Sequence, residues 1–268
     1  MVDGVSIVIA VVSLIGSLVA AAFTGWVTWF IDEVRRRADA KKLVAKYHDP
    51  LLLASLDLQS RLFNMTQQNL LAHVEDEEKK DLIYVYTAIL FGQFLSWTYI
   101  LRREAQFLRF STQKTNREMA RTLEAISYVL YTDKNPDEAP FMLWKGQQMA
   151  IGEVMTRGDD QLYCIGYSTF SVEYKTKPEF RQWFIPIERG IQDLMYAGKH
   201  RDRVPTYRLR RLQHLLIDLI MILDEDGDGE GRTRRGYVDA ASGCDCNGYS
   251  TSKSMPRRQG AKRQVASL

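Results

Sequence analysis

From Gly4 to Ile31 the chain carries no charged residue, and Val, Ile, Leu, Ala and Phe fill most of it. A helix needs about 20 apolar residues to cross a hydrocarbon core of about 30 Å, and this run exceeds that. The pattern predicts a transmembrane helix over residues 5–31. A cleavable signal peptide fits less well. No Lys or Arg precedes the run, and Phe23 to Ile31 continue it past the small residues Ala20, Ala21 and Ala22. Ser13, Gly16, Ser17, Ala20, Ala21 and Thr24 recur at three- and four-residue spacings. Small residues so placed let two helices approach closely, so self-association through the anchor belongs to the expectation.

Beyond the anchor the pattern is that of amphipathic helices. Asp49 and Pro50 read as a helix start, an N-cap followed by proline in the first turn. That helix is predicted to about Leu71, with Leu52, Leu56, Leu62, Phe63 and Met65 on its apolar side. The acidic cluster Glu75 to Glu78 opens a second helix, predicted to about Phe110. Its interior, Leu82 to Leu101, is again uncharged and long enough to span. Tyr84, Tyr86, Gln93 and Ser96 make it less oily than the first run, which favours a buried core helix over a second span. A span there would also put Arg102 and Arg103 outside, against the positive-inside rule.

Lys114 to Tyr131 predicts a helix with Met119, Leu123, Ile126 and Leu130 as its seam. Asp133 to Pro140 is a loop, Phe141 to Met155 a helix and Arg157 to Asp160 a turn. Leu162 to Tyr174 has β character but no evident partner, which leaves strand, extended loop and short helix open. Pro178 to Met195 and Pro205 to Asp224 are the remaining helices, and no internal repeat is visible. After Asp224, large apolar residues become too few to offset the entropy of ordering. The expected fold class is all-α. A single transmembrane helix (5–31) leads through a basic juxtamembrane segment (32–48) to a helical-bundle cytosolic domain (49–224), with a disordered basic tail (225–268).

Charge adds an orientation. Arg35, Arg36, Arg37, Lys41 and Lys42 follow the span, and positive residues beside a span stay in the cytosol. The N-terminus is expected outside and the domain inside. Trp26 and Trp29 sit near the exit, where indole rings favour the headgroup zone. The cluster would also rest against anionic lipid, at about 1 kcal/mol per Lys or Arg. The formal net charge of +3 is unevenly spread: residues 232–268 carry eight Lys or Arg against two Asp, so the rest is mildly acidic. No basic nucleic-acid-binding domain is indicated. Cys164, Cys244 and Cys246 are an odd, sparse set, which fits a reducing compartment rather than a disulfide framework.

Candidate chemistry is thin. No phosphate-binding glycine loop, H-E-x-x-H or Glu-x-x-His pattern occurs, and no cofactor is expected. Asp224, Asp226, Asp228 and Gly229 match the start of a calcium loop, but Arg235 stands where the bidentate Glu belongs. Cys244 and Cys246 are candidate acylation sites in the tail. Cys164 has no histidine near it in sequence to act as base. Arg208 and His214 share the Arg-x5-His spacing of helical RNA-cleaving domains of the HEPN type, though Leu209 replaces the usual polar residue. Asp57, Ser60, Arg61 and Asn64 fall on one side of the first domain helix, and Glu153 and Arg157 form an i,i+4 pair. Charges inside a bundle are costly unless paired. The set therefore reads as a stripe that fixes helix register or, alternatively, as a ligand pocket using Asp57, Arg61, Glu153 and Arg157.

The runs Tyr47 to Asn64, Leu101 to Phe107, Ile151 to Glu153, Cys164 to Phe170 and Leu212 to Asp218 resemble a family of hypothetical membrane-anchored helical proteins. The resemblance covers roughly residues 5–224 and implies an N-terminal span before a helical domain. It supplies no activity. The expectation is a binding or scaffolding module at the cytosolic membrane surface, with an unidentified protein partner. The alternatives are a tethered enzyme acting on a lipid or nucleotide near Arg61 and Glu153, and an oligomeric structural element of the membrane.

Overall fold

The computed structural model describes residues 4–68, 70–71, 74, 76–104, 114–134, 140–159, 161–200 and 206–224. The tail expected to be disordered, the acidic run compared with a calcium loop beyond Asp224, Cys244 and Cys246 lie outside the described residues, as do the side chains of Arg36, Arg37, Lys41 and Lys42. The chain divides into two units, Met1–Lys46 and Tyr47–Leu268.

The first unit is the opening part of α1 (Gly4–Thr66). Its apolar side chains are uncovered. Val12, Leu18, Phe23, Trp26 and Trp29 are each 58–63% exposed. The segment Val12–Arg35 is long and apolar enough to cross a membrane, with none of it buried.

The described residues of the second unit are all-α apart from one tiny hairpin. The expected helix start at Asp49 and Pro50 is not realised, because α1 runs through Pro50. The proline forgoes the bond its own nitrogen would give, while Tyr47 and Leu51 on either side are buried. The buried row of this stretch is Tyr47, Leu51, Ala54, Leu58, Leu62 and Met65, a three-four spacing that keeps one stripe inward. Leu52, Leu56 and Phe63 lie beside that row, half-buried.

Helix α2 (Glu77–Glu104) is the core helix, buried from Val85 to Leu101 along most of its length. Helix α3 (Lys114–Tyr131) buries Met119, Leu123, Ile126 and Leu130 as its spacing predicts. Helix α4 (Lys145–Val154) starts four residues later than expected. Phe141 adopts a left-handed φ of 66°, which no helix accommodates, and its ring packs on Gly190. A Cβ on Gly190 would stand 2.6 Å from that ring. The amide of Trp144 then donates to Gln147 Oε1 at 2.9 Å and opens the helix.

The β-looking segment does find a partner. Tyr163–Cys164 (β2) pairs antiparallel with Thr156–Arg157 (β1). The residues after it form helix α5 (Tyr167–Thr176). Then follow α6 (Pro178–Arg181), a 3₁₀ turn at Gln182–Phe184, α7 (Ile185–His200) and α8 (Tyr207–Leu223). Phe170, Tyr174, Phe180 and Phe184 form an aromatic cluster with neighbouring centroids 5.2–6.0 Å apart, a favourable range for offset and edge contacts.

Three pairings set the helix order. Helix α4 comes close to α2 because of Gly152, where a Cβ would stand 2.6 Å from Tyr99 Cβ and 3.0 Å from Leu95 O. Helix α8 lies antiparallel to the second half of α1. The His48 ring bonds the Leu223 carbonyl, Gln213 donates to Gln59 at 3.4 Å and Arg210 to Thr66 O at 3.4 Å. Arg208 of α8 is 1% exposed. It donates to the carbonyls of Val129, Leu130 (3.0 Å) and Thr132 (2.9 Å), which closes the C-terminal end of α3. The last carbonyls of a helix have no partner within it; that of Leu130 also accepts from the Leu143 amide at 2.8 Å, and a cation suits the negative end of a helix. Burial pushes the guanidinium's pKa down, to about 10, so the group stays charged at neutral pH.

Replacing Arg208 by Met roughly keeps the volume but takes the charged donor from the Val129 and Thr132 carbonyls, while Leu130 retains the Leu143 amide. The expected loss is about 2–3 kcal/mol, the cost of leaving buried carbonyls without their charged donor, read by urea denaturation of the full chain. A loss below about 1 kcal/mol would show that the end of α3 does not need this cap.

Candidate functional site

Arg61 is the predicted site residue that the fold treats most distinctively. The α1 stripe that buries Leu58 and Leu62 carries Arg61 inward with them, to 8% exposure. Its Nε donates to Thr87 Oγ1 at 2.9 Å and its Nη2 to Ile83 O at 3.3 Å, both on α2. The guanidinium lies 5.4 Å from the centroid of the Tyr86 ring, within cation–π range. These acceptors are neutral. Burial lowers the pKa of Arg61, and Tyr86 opposes that shift.

Tyr86 is 45% exposed and faces Tyr167 of α5, itself 44% exposed, with ring centroids 6.5 Å apart. Leu82 stands one turn earlier on α2 and is exposed as well. At the same α2–α5 edge Lys175 pairs with Asp81 at 2.6 Å. A buried cation thus backs a surface patch of Leu82, Tyr86 and Tyr167. Tyrosines of this kind are enriched where proteins meet. The sequence signal was slight: an apolar and an aromatic residue at i,i+4 near the start of an uncharged helix.

The other predicted site residues do not join Arg61. Asp57 is exposed on α1, and Glu153 is exposed on α4. Arg157 belongs to β1 because α4 ends at Val154, so the expected i,i+4 pair with Glu153 is not formed. Its partner is Glu173 of α5, with Nη2 at 3.1 and 2.9 Å from the two carboxylate oxygens. Its Nη1 donates to Val154 O at 2.6 Å and Thr156 O at 2.9 Å. Burial opposes ionisation of Glu173, but the bonds from Lys177 and Arg157 outweigh it and hold the carboxyl below its usual pKa. Arg61 meets α2 at Ile83 and Thr87, whereas Gly152, beside Glu153, meets it at Leu95 and Tyr99. At 1.5 Å rise per residue those places are roughly 18 Å apart along the helix. Arg61 and Glu153 do not share a site.

The remaining candidates are structural in their surroundings. Glu188 accepts from Tyr174 Oη at 2.5 Å and from Arg181 Nε and Nη2 at 2.9 and 3.0 Å, tying α5, α6 and α7 together. Burial, with the bond to Glu188, drives the Tyr174 phenol well above its usual range. Burial pushes the Cys164 thiol up to about 11, so at neutral pH it is not the thiolate a nucleophile requires. Arg208 and His214 are both buried. Arg208 spends its terminal nitrogens on α3 carbonyls, so the RNA-cleaving reading fails: no phosphate reaches that guanidinium. Among the described residues no three His, Cys, Asp or Glu are grouped to hold a metal ion. A largely apolar cleft of about 270 Å³ opens between α2, α3 and α4, with Arg102 and Arg103 in its lining.

No protein-family model, curated protein or solved structure matches this chain.

Replacing Arg61 by Ala is expected to cost about 2–4 kcal/mol, because Thr87 and the Ile83 carbonyl lose a charged donor inside the bundle. Glu153→Ala, on the surface, should stay within about 0.5 kcal/mol. Urea denaturation of the two variants checks the contrast, and equal losses would contradict it.

Proposed function

We propose that this protein is a single-pass, membrane-anchored helical module that binds a protein partner at the cytosolic surface of the membrane. The observation that carries the reading is the uncovered helix Val12–Arg35, of 24 residues with none buried. Ten large apolar side chains from Val12 to Ile31 are 43–63% exposed. Keeping each in water forfeits an appreciable part of the roughly 1.5–3 kcal/mol that full burial yields, and a bilayer recovers it. Trp26 and Trp29 suit the headgroup zone. Arg35 and the following Arg36, Arg37, Lys41 and Lys42 then sit on the cytosolic side against anionic lipid.

Helix α2, the other segment long and apolar enough to span, has 67% of its most apolar stretch buried inside the second unit. That supports one span rather than two. Within the anchor, a Cβ added at Gly16 would meet nothing within 4 Å. The hydroxyls of Ser17, Thr24 and Thr28 bond carbonyls of their own helix at 2.8 Å. This small-residue face leaves room for a second copy of the anchor.

The Leu82–Tyr86–Tyr167 patch supports the partner reading. A photo-crosslinking amino acid in place of Tyr167, in the full chain in its own membrane, is expected to capture one cytosolic-side protein of defined mass. Tyr86→Ser should reduce that capture at least fivefold. The same probe at Tyr196, an exposed tyrosine on α7, should not yield the product. Capture that is equal at both positions, or insensitive to Tyr86, would contradict the patch as the binding surface.

A further inference from the structure

The cleft between α2, α3 and α4 has a volume of about 270 Å³. Phe94 and Leu95 of α2 and Leu123, Ile126 and Leu130 of α3 wall it, all buried. Its inner polar groups are already satisfied. Ser127 Oγ donates to Gln148 Oε1 at 2.7 Å, and Gln148 Nε2 donates to Leu143 O at 2.8 Å and Ser127 O at 3.1 Å. The interior therefore offers an occupant apolar contact and little else. Both charged side chains in the lining are arginines, Arg102 and Arg103, in the last turn of α2 and both exposed. Arg102 stands 3.8 Å from Glu124, which Lys145 also approaches at 3.3 Å. An exposed pair at that distance is loosely held and yields to a better-placed anion.

Apolar walls inside and guanidinium groups at the rim complement a molecule with an apolar tail and an anionic head. We propose that this cleft binds a single-chain anionic amphiphile. Its tail lies against Phe94, Leu123 and Ile126, and its head is held by Arg102 and Arg103. Guanidinium suits carboxylate and phosphate alike, since its donors match either in a two-point fork. The proposal does not depend on the anchor or on the Tyr86 patch.

The test uses the full chain in nanodiscs and a decanoic acid bearing a terminal diazirine, with labelled peptides mapped by mass spectrometry. Label is expected on residues 94–103 or 123–130. Unlabelled decanoate or decanoyl lysophosphatidate should displace it, and whichever competes at lower concentration identifies the preferred head. Decyltrimethylammonium, with the same tail and opposite charge, should compete at least tenfold more weakly. Arg102→Glu combined with Arg103→Glu, both exposed positions, should cut labelling at least tenfold with the circular dichroism unchanged. Met149→Trp, at an exposed residue of the lining, should also reduce it. Three results overturn the proposal: label confined to the anchor helix, equal displacement by the cationic amphiphile, or unchanged labelling of the charge-reversed chain.

Discussion

The buried guanidinium of Arg208 is the constraint on which the second unit depends. It brings the start of α8 to the end of α3 by donating to the carbonyls of Val129, Leu130 and Thr132. Those groups sit inside the bundle, where an unpaired carbonyl is expensive. With α8 fixed there, its apolar row of Leu209, Leu212, Leu216, Leu219 and Leu223 is buried. Its polar side meets α1 at Gln59 and Thr66. The far end of α8 closes on His48. The helix that begins the second unit and the last described helix thus hold each other in place.

Arg61 applies the same chemistry to a different end. Both arginines are buried, and the bonds found for each go to neutral acceptors rather than to a carboxylate. A guanidinium tolerates this better than an ammonium, because its donors spread over several carbonyl and hydroxyl dipoles and its face stacks on aromatic rings. At Arg208 the result is a closed helix end. At Arg61 the cation lies against the ring of Tyr86, whose own surface remains exposed. The interior charge therefore supports a surface feature, and the link between fold and proposed binding runs through that ring.

Much of the fold was legible from periodicity, and particular residues show why the rest was not. Helix α3 begins and ends where its seam and flanking signals place it, at Lys114 and Tyr131. The uncharged stretch of α2 is the core helix that its tyrosines and Gln93 suggested. Local rules misread Pro50, since a helix start and a tolerated internal proline look alike until the burial of Tyr47 and Leu51 is known. Spacing also could not choose between two adjacent apolar rows, Leu52 and Leu56 against Leu51 and Leu58. The two-residue hairpin is too short to carry an alternation signal. Arg157 pairs with a residue on a later helix, and only the end of α4 at Val154 releases it to do so. The stripe on α1 named Arg61 correctly as a residue set among apolar rows, but its neighbours Ile83, Thr87 and Tyr86 come from another helix. The Arg208–His214 spacing suggested chemistry where the fold needed a cap.

Under the proposed reading, one span followed by a basic cluster that stays inside puts the chain after it on the cytosolic side. The direct measurement is protease protection of a C-terminal tag in sealed membranes of known orientation. Digestion of the tag only when protease is added to the cytosolic face is the expected result. A tag protected from that face and cut from the other would contradict it. Either the anchor would then be inverted or α2 would cross the bilayer, and the Tyr86 patch would face partners on the outside.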